Sequence, residues 1–210
     1  MEQYNEIVQI ISLTLGVAWA SGINLYAAIF VMGLSGHTGY IDLPENLLIL
    51  TDPMVIGAAG FMYLIEFVVD KIPGLDTGWD TFHTFICIPA GVVLSAKAVG
   101  DVNTPLLLAA GIVGGGVTAG THAAKAGSRA LINTSPEPFT NWAASVSKDV
   151  TVFGGLWAAL QYPLLFLGLF ICFILLSIWL LPKIWRGIKT IFRGIMRLLG
   201  KRSDDTISET

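Results

Sequence analysis

Ionisable residues lie at regular spacing inside the apolar part of this 210-residue chain. Glu66 and Asp70 are four residues apart near the end of one apolar run. His122, Lys125 and Arg129 follow one another at intervals of three and four near the end of another run. Residues at these spacings share one face of a helix. One helix face therefore offers carboxylates, and a second offers an imidazole and two cations.

These two charged faces have two interpretations. Ionisable groups in hydrocarbon are costly unless they are paired or hydrated, so the first interpretation is a structural ion pair between one carboxylate and one cation. The second is a polar pocket in which an anionic group meets Lys125 and Arg129. The planar fork of an Arg side chain suits the oxygens of phosphate or carboxylate. The sequence leaves both interpretations open.

A polar passage, NTSPEPFTNW at residues 133–142, directly follows the cationic face. Its two prolines stop a helix and hold Glu137 in an extended turn, while Asn133 and Ser135 can cap freed backbone groups. Irregular backbone at membrane depth is tolerated only where protein or a water-filled cavity surrounds it. The passage is therefore either a surface turn or the lining of a cavity beside Arg129.

The linker IPGLDTGWDTFH, residues 72–83, adds a weaker group of polar residues. Asp76, Asp80 and His83 are spaced by four and three, so a helix places all three on one side. Metal ligands show such spacing, but so does an interfacial helix, and we assign no metal and no cofactor. Asn24, which interrupts the first apolar run, is a further weak candidate. No nucleophile elbow, phosphate loop or HExxH motif occurs, so the sequence predicts no enzyme.

Composition places the chain in a membrane. Hydrophobic residues make up 54% of the 210 and charged residues only 13%, against about 25% in ordinary soluble domains. Apolar runs occupy about residues 7–34, 54–70, 84–100, 105–124 and 150–181. A membrane span needs about 20 residues. We therefore predict an all-α polytopic membrane bundle of five to six segments.

The first and last apolar runs are too long for one untilted crossing. The first is interrupted by ASGIN at residues 20–24, and the last by LQYPL at residues 160–164. Each run is therefore a tilted helix, a kinked helix or two pieces.

An internal repeat is visible between TDPMVIGAAG (51–60) and NTPLLLAAG (103–111). Each opens a helix with a proline near its first turn. Each is preceded by a helix rich in small residues and followed by a polar linker that carries Trp. The pattern predicts two copies of a helix–helix–linker unit and a closing helix. Repeats of this kind are common in transporters, whose sites lie at the repeat interface.

The segment KIWRGIKTIFRGIMRLLGKR, residues 183–202, holds seven of the twelve Lys and Arg residues. Its apolar residues form one helical stripe and its cations another. This pattern is typical of an amphipathic helix that contacts anionic headgroups on the cytoplasmic leaflet. We predict a transmembrane domain over residues 1–182, this interfacial helix, and a disordered tail over residues 203–210. The cations lie beside a membrane segment, so no nucleic-acid partner is expected.

The placement of the other cations depends on how the last apolar run crosses. Five simple crossings with a cytoplasmic C-terminus put Lys71, Lys125, Arg129 and Lys148 outside, against the positive-inside rule. A fold-back near Gln161 moves all four inside. The run from 150 to 181 has too few residues for two full crossings. Charge nevertheless favours the fold-back and cytoplasmic linkers.

Small residues are dense in GIVGGGVTAG, residues 111–120. In membranes such faces let helix backbones approach closely. The segment predicts close helix packing or a homo-oligomer contact, with the lining of a narrow pore as the alternative.

Three stretches resemble the signatures of a known family: SGINLYAAIFVMGL, EFVVDKIPGLDTGWDTFHTFICIPAG and GTHAAKAGSRALINTSPEPFTNW. The family is an uncharacterised group of bacterial integral-membrane proteins, known only as a domain of unknown function (DUF4126-like). The resemblance covers roughly residues 10–180 and implies a multi-pass protein of the bacterial inner membrane, without an activity.

The charged helix faces provide the functional hypothesis. The leading one is a transporter, channel or flippase that moves or binds a small solute or an anionic lipid. Its alternatives are a membrane scaffold held by a buried ion-pair network and a membrane-embedded enzyme.

Overall fold

The computed structural model describes residues 2–72, 74–132 and 138–205. The helices are α1 (Glu2–His37), α2 (Pro53–Val69), α3 (Leu75–Ala98), α4 (Thr104–Ile132), α5 (Pro138–Gln161) and α6 (Pro163–Asp205), with a 3₁₀ helix (Glu45–Thr51) before α2. The described residues contain no strand, so the predicted all-α class is confirmed. Asn133, Ser135 and Glu137 lie outside the described residues.

Several helices can cross a membrane, which makes this a multi-pass membrane protein. Four are long and apolar enough alone: Gln3–His37, Gly78–Ala98, Thr104–Ile132 and Pro163–Gly187. The 3₁₀ helix and α2 meet at 67°, and this bent pair is either a fifth, broken span or a re-entrant loop. Helix α5 has 24 residues and is less apolar because it carries Lys148 and Asp149.

Helix α1 consists of two pieces joined at Asn24. The backbone of Asn24 is non-helical, with φ −152° and ψ 95°. Its side-chain oxygen accepts a hydrogen bond from the backbone N–H of Ala27 at 3.0 Å, which caps the second piece. Residues 40–44, which follow that piece, share a cavity with residues 6–13 of the first piece. The second piece therefore returns toward the end of the bundle where α1 began.

The last apolar run is also two helices, because α5 ends at Gln161 and α6 begins at Pro163. The two helices extend beyond residues 150–181 at both ends, so the length of that run does not limit how they cross. Helix α5 starts at Pro138 and takes in the polar residues before 150, so its 24 residues extend about 36 Å at about 1.5 Å per residue. Helix α6 continues to Asp205, about one turn into the segment predicted as a disordered tail, since propagation adds one hydrogen bond per residue.

The two ends of the bundle differ in charge. At one end, which we call the basic end, the C-terminal part of α4 packs on the basic part of α6: a Cβ on Gly127 would lie 2.7 Å from Ile184. The end of α2 and the start of α3 also lie here, since Asp70 and Asp76 face Arg129 of α4. At the opposite end, the Ser12 hydroxyl donates to the carbonyl oxygen of Ala159 at 2.9 Å, which places the start of α1 beside the end of α5.

Part of the glycine-rich face of α4 packs closely on α3. A Cβ on Gly114 would overlap Ser95 of α3, and a Cβ on Gly91 of α3 would overlap Thr118 of α4. The absence of side chains here lets the two backbones approach. Gly116 and Gly120 differ, because a Cβ on either would have no neighbour within 4 Å.

We expect Gly22→Ala to lower the free energy of unfolding by about 1–3 kcal/mol through overpacking. A Cβ on Gly22 would lie 2.6 Å from the carbonyl oxygen of Thr118 and 2.7 Å from Cβ of Thr121. The matched control is Gly116→Ala, whose Cβ meets open space and which gains up to about 1 kcal/mol of helix propensity. Thermal unfolding in detergent measures both, and equal melting temperatures would contradict this packing.

Candidate functional site: a buried charge cluster and its cavity

Among the described residues, three cations and five carboxylates meet inside the bundle near the basic end. We call them the charge cluster: Lys125, Arg129, Lys148, Glu66, Asp70, Asp76, Asp80 and Asp149. Their side chains are all at most 7% exposed. Charges buried this deeply in a membrane protein are kept only when they are paired or serve a polar path.

Arg129 connects α4 to the end of α2 and the start of α3. Its Nη1 donates to Asp70 Oδ1 at 2.5 Å. Its Nε lies 3.8 Å from Asp76 Oδ2 and 3.7 Å from Asp80 Oδ2. One guanidinium therefore faces three carboxylates from two chain segments.

The two lysines of the cluster share Glu66. Lys125 Nζ lies 3.1 Å from Glu66 Oε1 and 2.9 Å from Asp80 Oδ1. Lys148 Nζ lies 3.2 Å from the same Glu66 oxygen and also pairs with Asp70. The carboxylate face of α2 and the cationic face of α4, both visible in the sequence, thus lie together, and α5 adds a third cation.

Asp149 connects the cluster to the break in α1. Its Oδ1 accepts a hydrogen bond from Asn24 Nδ2 at 3.2 Å and lies 3.6 Å from Lys148 Nζ. Sequence reasoning considered Lys148 only as a cation outside the apolar runs and did not select Asp149, because both precede the last apolar run. The signal that could have found them is the break at Gln161. A helix that ends there needs about 20 residues to span the membrane, so it must begin before residue 150 and include Lys148 and Asp149.

His122 lies beside the cluster and holds α4 against α3. Its Nε2 is 2.7 Å from Thr84 Oγ1 and 3.2 Å from the carbonyl oxygen of Asp80. These contacts explain how an imidazole is accommodated between two membrane helices, since buried polar groups need partners.

His83 lies in an aromatic stack. Its ring centroid is 5.0 Å from that of Tyr26 and 6.4 Å from that of Trp79. The side chain is buried, and within the described part of the chain neither ring nitrogen has a hydrogen-bond partner. His83 therefore does not join Asp76 and Asp80 around one point. Among the described residues no group of three or more His, Cys, Asp or Glu side chains is arranged to hold a metal ion.

A cavity of about 280 Å³ lies between α4, α5 and α6 beside the cluster. Lys125, Arg129 and Lys148 all line it. Five hydroxyl side chains join them: Thr121, Ser128, Ser147, Thr151 and Ser177. Apolar residues of α6, such as Phe173 and Leu176, form the opposite wall. Among the described residues that line the cavity, none is a carboxylate, so the cations separate the cavity from the acidic side chains.

The described residues of the cluster are not balanced in charge. With every group in its ordinary ionised state, five carboxylates and three cations leave a formal excess of two negative charges. The excess lies on the α2 and α3 side, away from the cavity. A bound anion and any additional proton or cation would therefore occupy different sides of the same network.

Comparison with known proteins identifies the family. The model of a domain of unknown function (DUF4126) matches residues 11–183. The chain belongs to this family. The DUF4126 match includes every member of the charge cluster and all the lining of the cavity except Ile184. No curated protein and no solved structure matches the chain, so the chemistry of the site must be argued from its geometry.

The acid response of this DUF4126 protein should depend on Asp70, which directly follows α2. Burial raises the pKa of Asp70, but the hydrogen bond from Arg129 and the charge of Lys148 outweigh it and lower the pKa from 3.8 to about 2. A depressed carboxylate pKa contributes stability above the unfolded value, and that contribution is lost as pH falls through the folded value.

We therefore expect Asp70→Asn to lower stability by on the order of 2 kcal/mol at neutral pH. The difference between the wild type and this variant should shrink between about pH 4 and pH 2, since the wild-type carboxyl becomes protonated there. Thermal unfolding of both proteins from pH 7 down to pH 2 measures it. A difference that stays constant over this range would contradict the role of the Asp70 charge.

Proposed function

We propose that this membrane protein binds and moves a small solute that carries an anionic group, and that the cavity beside the charge cluster is the binding site. One observation carries the proposal: three buried cations and five hydroxyls line the cavity, and no carboxylate joins them among the described residues. Ionisable residues within membrane segments mark substrate and ion paths.

The carboxylates that pair with Lys125 and Arg129 on the side away from the cavity hold these cations in position for a ligand. Lys125 and Arg129 are held by acidic partners on α2 and α3, so they stay ionised and fixed when the cavity holds no anion. A fixed charge-assisted donor loses little entropy on binding. The neighbouring hydroxyls of Ser128 and Ser147 can donate further hydrogen bonds to anion oxygens.

Movement of the ligand, rather than binding alone, is supported by the break in α1. Discontinuous helices at membrane depth are typical of transporters, where they contribute to substrate and ion sites. Asn24 at the break contacts Asp149 of the cluster. A ligand that moves Asp149 would therefore also move Asn24, which joins the two pieces of α1. A scaffold needs the ion pairs but has no use for a cation-lined cavity.

A second candidate is a proton or cation path, favoured by the formal excess of two negative charges in the described cluster. His83 and Glu66 lie on the acidic side, and both carry buried polar atoms without a hydrogen-bond partner in the described part. Buried polar groups without a partner can take part in such a path. This path can operate alone or balance the charge of an anion that enters the cavity.

We further propose that the basic end faces the cytoplasm of a bacterial cell, with residues 183–202 on the anionic inner leaflet. The positive-inside rule and the seven Lys and Arg residues of that segment support this orientation. A reporter that is active only in the periplasm should be silent when fused after Thr210 and when inserted at Gly74. Activity at either position would contradict the orientation.

The experiment for the main proposal is anion binding by the purified protein in lipid nanodiscs. Thermal unfolding is followed against a panel of phosphate, sulfate and small carboxylates at constant ionic strength. We expect saturable stabilisation by at least one anion. The double variant Ser128→Ala/Ser147→Ala removes cavity hydroxyls without touching an ion pair, and two neutral hydrogen bonds of about 0.5–1.5 kcal/mol each predict a Kd weakened about 5- to 150-fold. A folded protein that neither a soluble anion nor an anionic lipid stabilises supports the scaffold instead.

A further inference from the structure

The cation-lined cavity continues into an apolar groove of about 370 Å³ between α4 and α6. The residues common to the cavity and the groove are Thr121, Phe173, Ser177 and Leu181. Beyond them the groove is bordered by Val113, Gly116 and Gly120 of α4. Gly116 and Gly120 are exposed, and a Cβ on either would have no neighbour within 4 Å. The missing side chains leave the groove open along its length.

The groove has the length of a lipid chain segment. From Val113 to Thr121 it follows α4 for about 12 Å, at about 1.5 Å per residue. One leaflet of hydrocarbon is about 15 Å thick, half of the bilayer core of about 30 Å. Most of one alkyl chain of a membrane lipid can therefore lie in the groove while the lipid headgroup is in the cavity.

Thr121 marks the junction of the two spaces. Its side chain is 3% exposed, and its Oγ1 has no hydrogen-bond partner within the described part of the chain. A buried hydroxyl without a partner is costly. Thr121 lies where the cation-lined cavity meets the apolar groove, so rotation of its side chain about χ1 would offer the hydroxyl to an oxygen of a ligand there.

We infer that the solute of the proposed site is an anionic membrane lipid with a phosphate-bearing headgroup. The headgroup lies against Lys125, Arg129 and Lys148 in the cavity, and one acyl chain lies in the groove between α4 and α6. Cationic side chains that line the cavity and apolar surface along the groove are complementary to an amphiphilic anion, whereas a free inorganic anion leaves the groove empty. This inference rests on the proposed function and names its substrate class.

The test compares spin-labelled phosphatidylglycerol with spin-labelled phosphatidylcholine in nanodiscs that contain the full-length protein. The motionally restricted fraction of each label in the EPR spectrum reports lipid held by the protein. We expect the wild type to hold phosphatidylglycerol at least about tenfold more tightly than phosphatidylcholine, as one charge-assisted hydrogen bond of about 1.5 kcal/mol predicts.

Two variants and a control locate the lipid. Gly120→Leu fills the groove and should reduce held phosphatidylglycerol about fivefold or more, since the acyl chain loses its apolar contact. Gly57→Leu is the control, because a Cβ there also meets open space and Gly57 lies outside the cavity and groove. Thr121→Val removes the unpartnered hydroxyl at nearly constant shape and should reduce the preference for phosphatidylglycerol while leaving phosphatidylcholine unchanged.

Each other outcome overturns the inference in an identifiable way. Equal retention of the two lipids by the wild type means ordinary annular lipid. A dimer that Gly120→Leu dissociates, without any lipid preference, means that a second copy of the chain occupies the groove. Stabilisation by inorganic phosphate without a phosphatidylglycerol preference overturns the lipid but leaves the proposed anion site intact. Absence of both effects overturns the inference and the proposed function together.

Discussion

Lys148→Met is expected to lower the free energy of unfolding by about 3–5 kcal/mol, the usual cost of removing one partner from a buried ion pair. Lys148 pairs with Glu66, Asp70 and Asp149. Its removal leaves those carboxylates with fewer cations in a region that already holds an excess of negative charge. Met fills a similar volume, so the loss reports charge rather than packing.

The matched variant is Asp149→Asn, which removes a carboxylate from the same network. It reduces the negative excess and keeps an oxygen that can accept the hydrogen bond from Asn24, so we expect a cost of only about 1 kcal/mol. Lys97→Met, at an exposed position on α3, should change stability by no more than about 0.5 kcal/mol.

Thermal unfolding in detergent compares the three proteins. The informative result is the asymmetry between cation and carboxylate removal, which follows from a cluster with five acidic and three basic side chains. Equal costs for Lys148→Met and Asp149→Asn would contradict that charge imbalance. If neither variant is destabilised, the groups are solvated and no buried network exists.

Arg129→Lys is expected to weaken anion binding by about 10- to 150-fold, the effect of losing one charge-assisted hydrogen bond of about 1.5–3 kcal/mol. Lys keeps the positive charge near Asp70, so the protein should still fold and insert. Lys lacks the planar guanidinium group, which can bind two anion oxygens while it also contacts the carboxylates of α2 and α3. The measurement is the Kd for the stabilising anion, from nanodisc binding.

The control for this variant is Arg186→Lys, at an exposed position on α6 outside the cavity lining. It makes the same chemical change and should leave the Kd unchanged. If Arg129→Lys lowers the melting temperature but binds the anion as the wild type does, the guanidinium is only a structural partner of Asp70. That result would assign Arg129 to the scaffold interpretation.

The charge pairing could be predicted from the sequence because it depends on local spacing. Glu66 and Asp70 occupy one helix face and Lys125 and Arg129 another, at similar depth, and the cost of unpaired charge in hydrocarbon brings such faces together. The interruption at residues 20–24 was likewise visible in an overlong apolar run, although a tilt, a kink and two pieces were all left open. Both predictions need only helical geometry and desolvation.

The direction in which the cations point could not be predicted. Whether Lys125 faces α3, α5 or a cavity depends on how the helices are rotated against one another, and that rotation is fixed by tertiary packing such as the contact of Gly91 with Thr118. The buried pair Lys148 and Asp149 was missed for a related reason. Hydropathy leaves both outside the apolar runs, whereas packing against α1 and α4 buries them in the middle of α5.

The most direct test of the cation-lined cavity as a transport site is an electrical recording on proteoliposomes adsorbed to a solid-supported membrane. A jump in the concentration of the stabilising anion should produce a transient current that saturates with anion concentration. The current should be strongly reduced in Arg129→Lys and unchanged in Arg186→Lys. A folded wild-type protein that gives no current above empty liposomes, for any anion in the panel, would contradict transport through this site.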